Sequence, residues 1–114
     1  MGRSAPISQV EIEEEMLRLL DMLEKETEAF EQLSIDAAKK DAIYKSEWAK
    51  QYLSAKGPIR ERESWSDYKS EDLLIDAKLA DGLVRAKREK LLSLRTSIDA
   101  LRTLNANVRV QVQS

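Results

Sequence analysis

The sequence predicts an all-α fold: a long antiparallel helical hairpin, coiled-coil-like, that oligomerises into a helical bundle. Three observations carry this. Charged residues make up 35% of the 114, with only 3 Gly and 2 Pro, a balance suited to long solvated helices and not to a turn-rich sheet fold. Apolar residues recur in sevens along two stretches, which is coiled-coil spacing. The one Gly-Pro step, Gly57-Pro58, falls between those stretches and can end a helix there.

Residues 1–7 read as a flexible N-terminal arm, and residues 8–109 as one helical hairpin domain. The first helix is expected over 8–56. Ser8 and Glu11 have the spacing of a capping box, with Ile7 and Ile12 at the staple positions and Glu13, Glu14 and Glu15 near the positive end of the helix dipole. Met16, Leu23, Phe30, Ala37 and Tyr44 fall on one heptad line, flanked by Ile12, Leu19 and Leu33. Residues 57–69 read as a connection holding at most a short helical turn, with Ser66 or Ser70 able to cap the second helix. That helix is expected over 70–107. Its seam is Ala77, Val84, Leu91, Ile98 and Asn105 alternating with Leu73, Ala80, Leu94, Leu101 and Val108, with Lys87 as the exception. Gly82 is its weak point and a candidate kink. The tail, 110–114, alternates like an edge strand or a frayed end. Folding back at the connection puts Tyr44 near Lys78, Phe30 near Leu92 and Met16 near Asn105.

The bulk numbers exclude several function classes. With 19 basic and 21 acidic residues the net charge is −2, unlike a polyanion-neutralising protein. There is no His and no Cys, so neither a His-based triad nor a disulfide is available, and no metal-ligand spacing appears. The acids Glu11–Glu15 are nearly consecutive and point around the helix, so they do not converge on a reaction. No Gly-rich phosphate loop is present, and no cofactor is expected. The chain reads as a non-enzyme. No apolar run is long enough to span a bilayer, and the opening residues lack the apolar core of a signal peptide, so the expectation is a cytoplasmic protein.

Charge is uneven along the chain. Residues 1–36 hold 10 acids and 3 bases, whereas residues 82–114 hold 7 bases and 2 acids. An antiparallel hairpin brings these two segments together, so internal attraction accounts for much of the asymmetry. The apolar side chains of Met16–Leu23 and Leu91–Leu104 cover more of each helix than one neighbour can bury. That predicts a homo-oligomer with Met16, Leu17, Leu20, Leu23, Leu91, Leu94, Ile98, Leu101 and Asn105 at its interface, Asn105 setting register.

Two patterns suggest binding. Tyr44, Trp48 and Tyr52 follow i, i+4, i+8 spacing, with Lys45, Lys50, Lys56, Arg60 and Arg62 close by and Trp65 and Tyr68 in the connection. Rings interleaved with cations suit single-stranded nucleic acid, since bases stack on rings while cations follow phosphates. The competing reading is that Tyr44, Trp48 and Tyr52 continue the core stripe. The second pattern is Arg88, Arg95, Arg102 and Arg109, one every seven residues. Such a row can track a phosphate backbone, or it can pair with Glu11, Glu14, Glu15, Asp21 and Glu24.

The run YKSEWAKQYLSAKG leading into RERE, the acidic opening SEDLLIDAKLA, and the close KREKLLSLRTSIDALRTLNANVR resemble the UvsY-type recombination mediators of tailed phages. The resemblance covers about residues 25–109. It implies a helical, oligomeric protein of the host cytoplasm that binds single-stranded DNA and assists a RecA-like recombinase on strands held by single-strand binding protein. It makes Lys45, Lys50, Lys56, Arg60 and Arg62 the DNA contacts. The rival expectation is a coiled-coil structural, scaffold or host-interaction protein with no nucleic-acid role.

Overall fold

A computed structural model describes residues 7–113. It contains three α-helices: α1 (Gln9–Ser54), α2 (Ile59–Lys69) and α3 (Glu71–Gln113). There is no strand among the described residues, and α1 packs on α3 as a helical hairpin, as the heptads predict. Most of the expected N-terminal arm lies outside the described residues.

Local chemistry explains each boundary. Ser8 Oγ accepts a hydrogen bond from the Glu11 backbone N–H at 3.1 Å, capping α1. At the other end Gly57 takes φ +117°, a conformation that L side chains resist, and Pro58 sits at the N-cap of α2, where its missing N–H does no harm.

Three expectations need correction. The connection is not a loop with a helical turn but an 11-residue helix. Ser70 alone separates it from α3, and two backbone bonds carry the chain across the break: Ser70 N–H donates to Ser66 O and Leu74 N–H to Ser70 O, both at 3.0 Å. Ser66 and Ser70 are therefore not surface caps. Both are fully buried, and the Ser70 hydroxyl donates back to Ser66 O. Second, the tail is helical through Gln113. Val108 continues the α3 seam, half-buried, and a lone strand would have left its N–H groups without a ladder. Third, the register is shifted by about a turn or more. Glu26 meets Lys90 at 3.2 Å, whereas the expected register put Glu26 beside Thr96. The cause is the turn itself. The chain reverses within residues 55–58 and starts α2 at once, so the fold-back is centred several residues earlier than a 57–69 loop would place it.

The inner seam of α2 and α3 is one unbroken heptad series. It runs Ser66, Ser70, Leu73, Ala77, Ala80, Val84, Lys87, Leu91, Leu94, Ile98, Leu101, Asn105 and Val108, each buried or half-buried. Gly82 does not interrupt α3, and a Cβ there would meet nothing within 4 Å.

The chain divides into two compact units, one of residues up to Glu28 with those from Arg88 on, the other of Ala29–Lys87. In the first, Leu19, Leu94 and Ile98 form a buried cluster, with Met22, Leu23 and Leu101 packed against it. Burying each such side chain contributes about 1.5–3 kcal/mol. In the second unit the buried seam is small: Ser66, Ser70, Ala77, Ala80 and Val84 let α1 approach closely.

Candidate functional site

The aromatic groups gather in the second unit, where the last turns of α1 lie against α2. The predicted trio separates into two environments. Tyr44, Trp48 and Tyr52 are half-buried. The Trp48 and Tyr52 rings stack at 5.3 Å with planes 9° apart, and Trp48 Nε1 donates to Asp67 Oδ1 at 2.8 Å. Arg62 reaches back from α2 over the other side of Tyr52, 4.3 Å from the ring centroid, and donates from Nε and Nη2 to the Tyr52 carbonyl at 3.2 and 3.1 Å. That carbonyl lies in the last turn of α1, where intrahelical donors run out and where α1 has no basic residue of its own. Arg62 is thus half-buried and engaged in closing α1. Tyr44, Trp48 and Tyr52 are thus neither buried core nor fully exposed.

Trp65 and Tyr68 behave otherwise. They are 44% and 69% exposed, 6.1 Å apart, with Lys69 Nζ 4.9 Å above the Trp65 ring. Trp65 Nε1 donates to Gln51 Oε1 at 3.2 Å, which fixes the indole. An open groove beside them is lined by Pro58, Arg60, Glu61 and Ser64. Lys50, Lys56 and Arg60 are exposed and make no ion pair among the described residues. Lys45 is paired with Asp41 at 2.8 Å, and that hydrogen bond holds its ammonium above the ordinary lysine range.

The arginine row belongs to the first unit, and Arg95, Arg102 and Arg109 make no ion pair with an N-terminal acid among the described residues. Arg102 pairs with Asp99 of its own helix at 3.6 Å, and Arg88 is engaged. Arg95 and Arg109 are exposed with no ion pair among the described residues. Glu15 binds Arg18 instead, which keeps its carboxyl below the usual range, and Asp21 binds Lys25 at 2.9 Å. A cross-helix ion pair joins Lys90 to Glu26.

Of the residues assigned to self-association, Leu91, Leu94 and Ile98 are buried in the chain's own hairpin, and Asn105 is 9% exposed with its Oδ1 unpartnered. Met16, Leu23 and Leu101 are half-buried. Leu17 at 68% and Leu20 at 39% face outward.

Sequence reasoning missed a second heptad line. Trp65, Tyr68, Asp72, Ile75, Leu79, Gly82 and Ala86 follow alternating steps of three and four, and every one is exposed. They occupy the outward face of α2 and of the start of α3, and Leu83 flanks them at 56% exposure. Counting sevens from Trp65 through Asp72, Leu79 and Ala86 would have revealed it. The assumption that 57–69 was a loop hid the first members.

No group of acidic side chains among the described residues is placed to hold a metal ion, and no helix among them is long and apolar enough to cross a membrane. No protein-family model, curated protein or solved structure matches the chain.

Proposed function

We propose that the chain is a helix-docking module: a hairpin whose returning arm carries one heptad seam for its own α1 and a second for a helix outside the hairpin. One observation supports this above the others. Trp65, Tyr68, Ile75 and Leu79 stand exposed at coiled-coil spacing on a helix whose opposite face is already filled. Scattered surface apolar residues need no explanation, but seven successive seam positions with one charge among them do.

The test is anisotropy of a labelled amphipathic peptide, about three heptads long, with Leu at both seam positions. The expected result is saturable binding, lost in Leu79→Glu and kept in Leu17→Glu. Absence of binding to the intact, folded chain, diluted until it is monomeric, refutes the reading.

A second reading keeps the recombination-mediator role, in which single-stranded DNA and a recombinase are the partners. The exposed, unpaired Lys56 and Arg60, which line open grooves together with Trp65, favour it. It predicts oligo-dT binding that weakens steeply with salt and falls in Trp65→Ala and Arg60→Ala. Binding unaffected by either substitution removes this face from it.

A further inference from the structure

We infer that the outer seam docks on a second copy of this chain, the two α2–α3 faces pairing antiparallel about a two-fold axis beside Leu73 and Leu74. This rests on the helix-docking reading and names its partner. The inference comes from the charges flanking the seam. In an antiparallel pair, seam residues of one helix layer against those of the other, and flanking residues meet their own kind across the axis. With Asp72 layered on the second copy's Ile75, Tyr68 falls on the second copy's Leu79. Trp65 then falls on its Gly82, where the surface is open and no Cβ intrudes.

Wherever two charged flanking positions then meet, they are opposite in sign. Lys69 meets the second copy's Asp76, and Glu71 meets its Lys78, each pair occurring twice by symmetry. Sliding the pair one heptad in one direction sets Lys78 on Lys78 and Asp76 on Asp76. Sliding it in the other sets Lys69 on Lys69 and Glu71 on Glu71. A parallel pair sets Glu71 on Asp76. Each alternative opposes like charges, and the attractions that the slid registers gain, Glu71 with Arg85 or Arg62 with Asp76, draw on side chains already held by Asp81 and the Tyr52 carbonyl, so this one register is favoured.

Within the single chain, Glu71, Asp76 and Lys78 are exposed and make no ion pair among the described residues. Nearby Arg85 and Asp81 do pair, at 2.7 Å. Asp72 is the discordant member. Layered on Ile75 it opposes association, which makes the dimer weak and reversible and gives a direct handle on it.

Sedimentation equilibrium on the full chain tests the proposal. The expected species is twice the 13.0 kDa chain mass. Asp72→Leu should tighten association at least about tenfold, while Lys78→Glu and Glu71→Lys should each weaken it about tenfold. The double variant Glu71→Lys with Lys78→Glu should return to within about threefold of the parent. All the substituted positions are exposed, so circular dichroism should show unchanged helix content. A monomer in both the parent and Asp72→Leu overturns self-pairing. So does a dimer indifferent to the charge changes, since it uses another face. If the amphipathic peptide still binds in either case, docking survives and only the identity of the partner falls. If the peptide also fails, both fall.

Discussion

Replacing Arg62 by Ala should unfasten the end of α1. Its guanidinium makes two hydrogen bonds to one helix-terminal carbonyl and covers the ring of the same residue, Tyr52. Hydrogen bonds from a charged group contribute about 1.5–3 kcal/mol, a cation near a helix C-terminus about 0.3–1, and a ring contact about 0.5–1. These share one half-buried side chain and do not add in full. A loss of about 2 kcal/mol is the working figure, equivalent to a fall in melting temperature of roughly 8 °C for a chain of this size. Arg62→Lys keeps the charge but loses the planar fork, so it should cost about half as much. Urea titration followed by tryptophan fluorescence suits the question, because Trp48 and Trp65 both report on this part of the molecule. An Arg62→Ala midpoint equivalent to less than about 0.5 kcal/mol of destabilisation would show that the clasp does not secure α1.

Three further outcomes concern the backbone, the buried hydroxyl and the charges. Gly82→Ala, measured at low concentration, should stabilise by up to about 1 kcal/mol, since α3 is continuous there and the added methyl meets nothing; a loss would mean that the glycine is needed as a hinge. Ser66→Ala should stabilise by about 1 kcal/mol or more, because the Ser66 hydroxyl is buried without a partner; destabilisation in urea would disprove that. The melting temperature should be flat between about pH 5.5 and 9. Glu15 is lowered by its hydrogen bond from Arg18, so its contribution is complete above the ordinary carboxylate range and is lost only as pH falls through the folded value. Lys25 and Lys45 are raised by their bonds to Asp21 and Asp41, so theirs are complete below the ordinary lysine range and are lost only at higher pH. The chain has no His to titrate between. A slope of more than a few degrees inside that window would refute this.

The helices and their caps were legible because they depend on near neighbours in sequence. Ser8 precedes Glu11 at cap spacing, and Gly57-Pro58 marks a stop wherever the rest of the chain goes. The register was not legible, since it depends on whether IRERESWSDYK is loop or helix. That segment lacks a strong apolar face of its own, and what ties it to α1 is a set of contacts distant in sequence, Arg62 to Tyr52, Trp65 to Gln51 and Trp48 to Asp67, which no local pattern announces. The fate of Arg62 was hidden for the same reason. Its partner is a backbone carbonyl, and every residue supplies one, so no residue type flags the contact. Trp65 and Tyr68 were legible only as rings near cations in the connection. Their kinship with Ile75 and Leu79 emerged only once α2 and α3 proved nearly continuous.

That near-continuity also bears on where the proposed self-association would sit. The sequence suggested leftover apolar surface between Met16 and Leu23, but in the first unit Leu19 is buried and Met16, Met22 and Leu23 turn partly inward, leaving chiefly Leu17 and Leu20. In the second unit Trp65, Tyr68, Ile75, Leu79 and Leu83 all remain between 44% and 69% exposed along one face. They lie on the side of α2 and α3 away from the inner seam, which holds Ser66, Ser70, Leu73, Ala77, Ala80 and Val84. A face that buries only Ile75, Leu79 and one ring offsets several kcal/mol of lost freedom at about 1.5–3 kcal/mol per side chain, before any charge is counted. The flanking Lys69, Glu71, Asp76 and Lys78 then decide which helix is accepted, and their order reads the same, charge for charge, from either end.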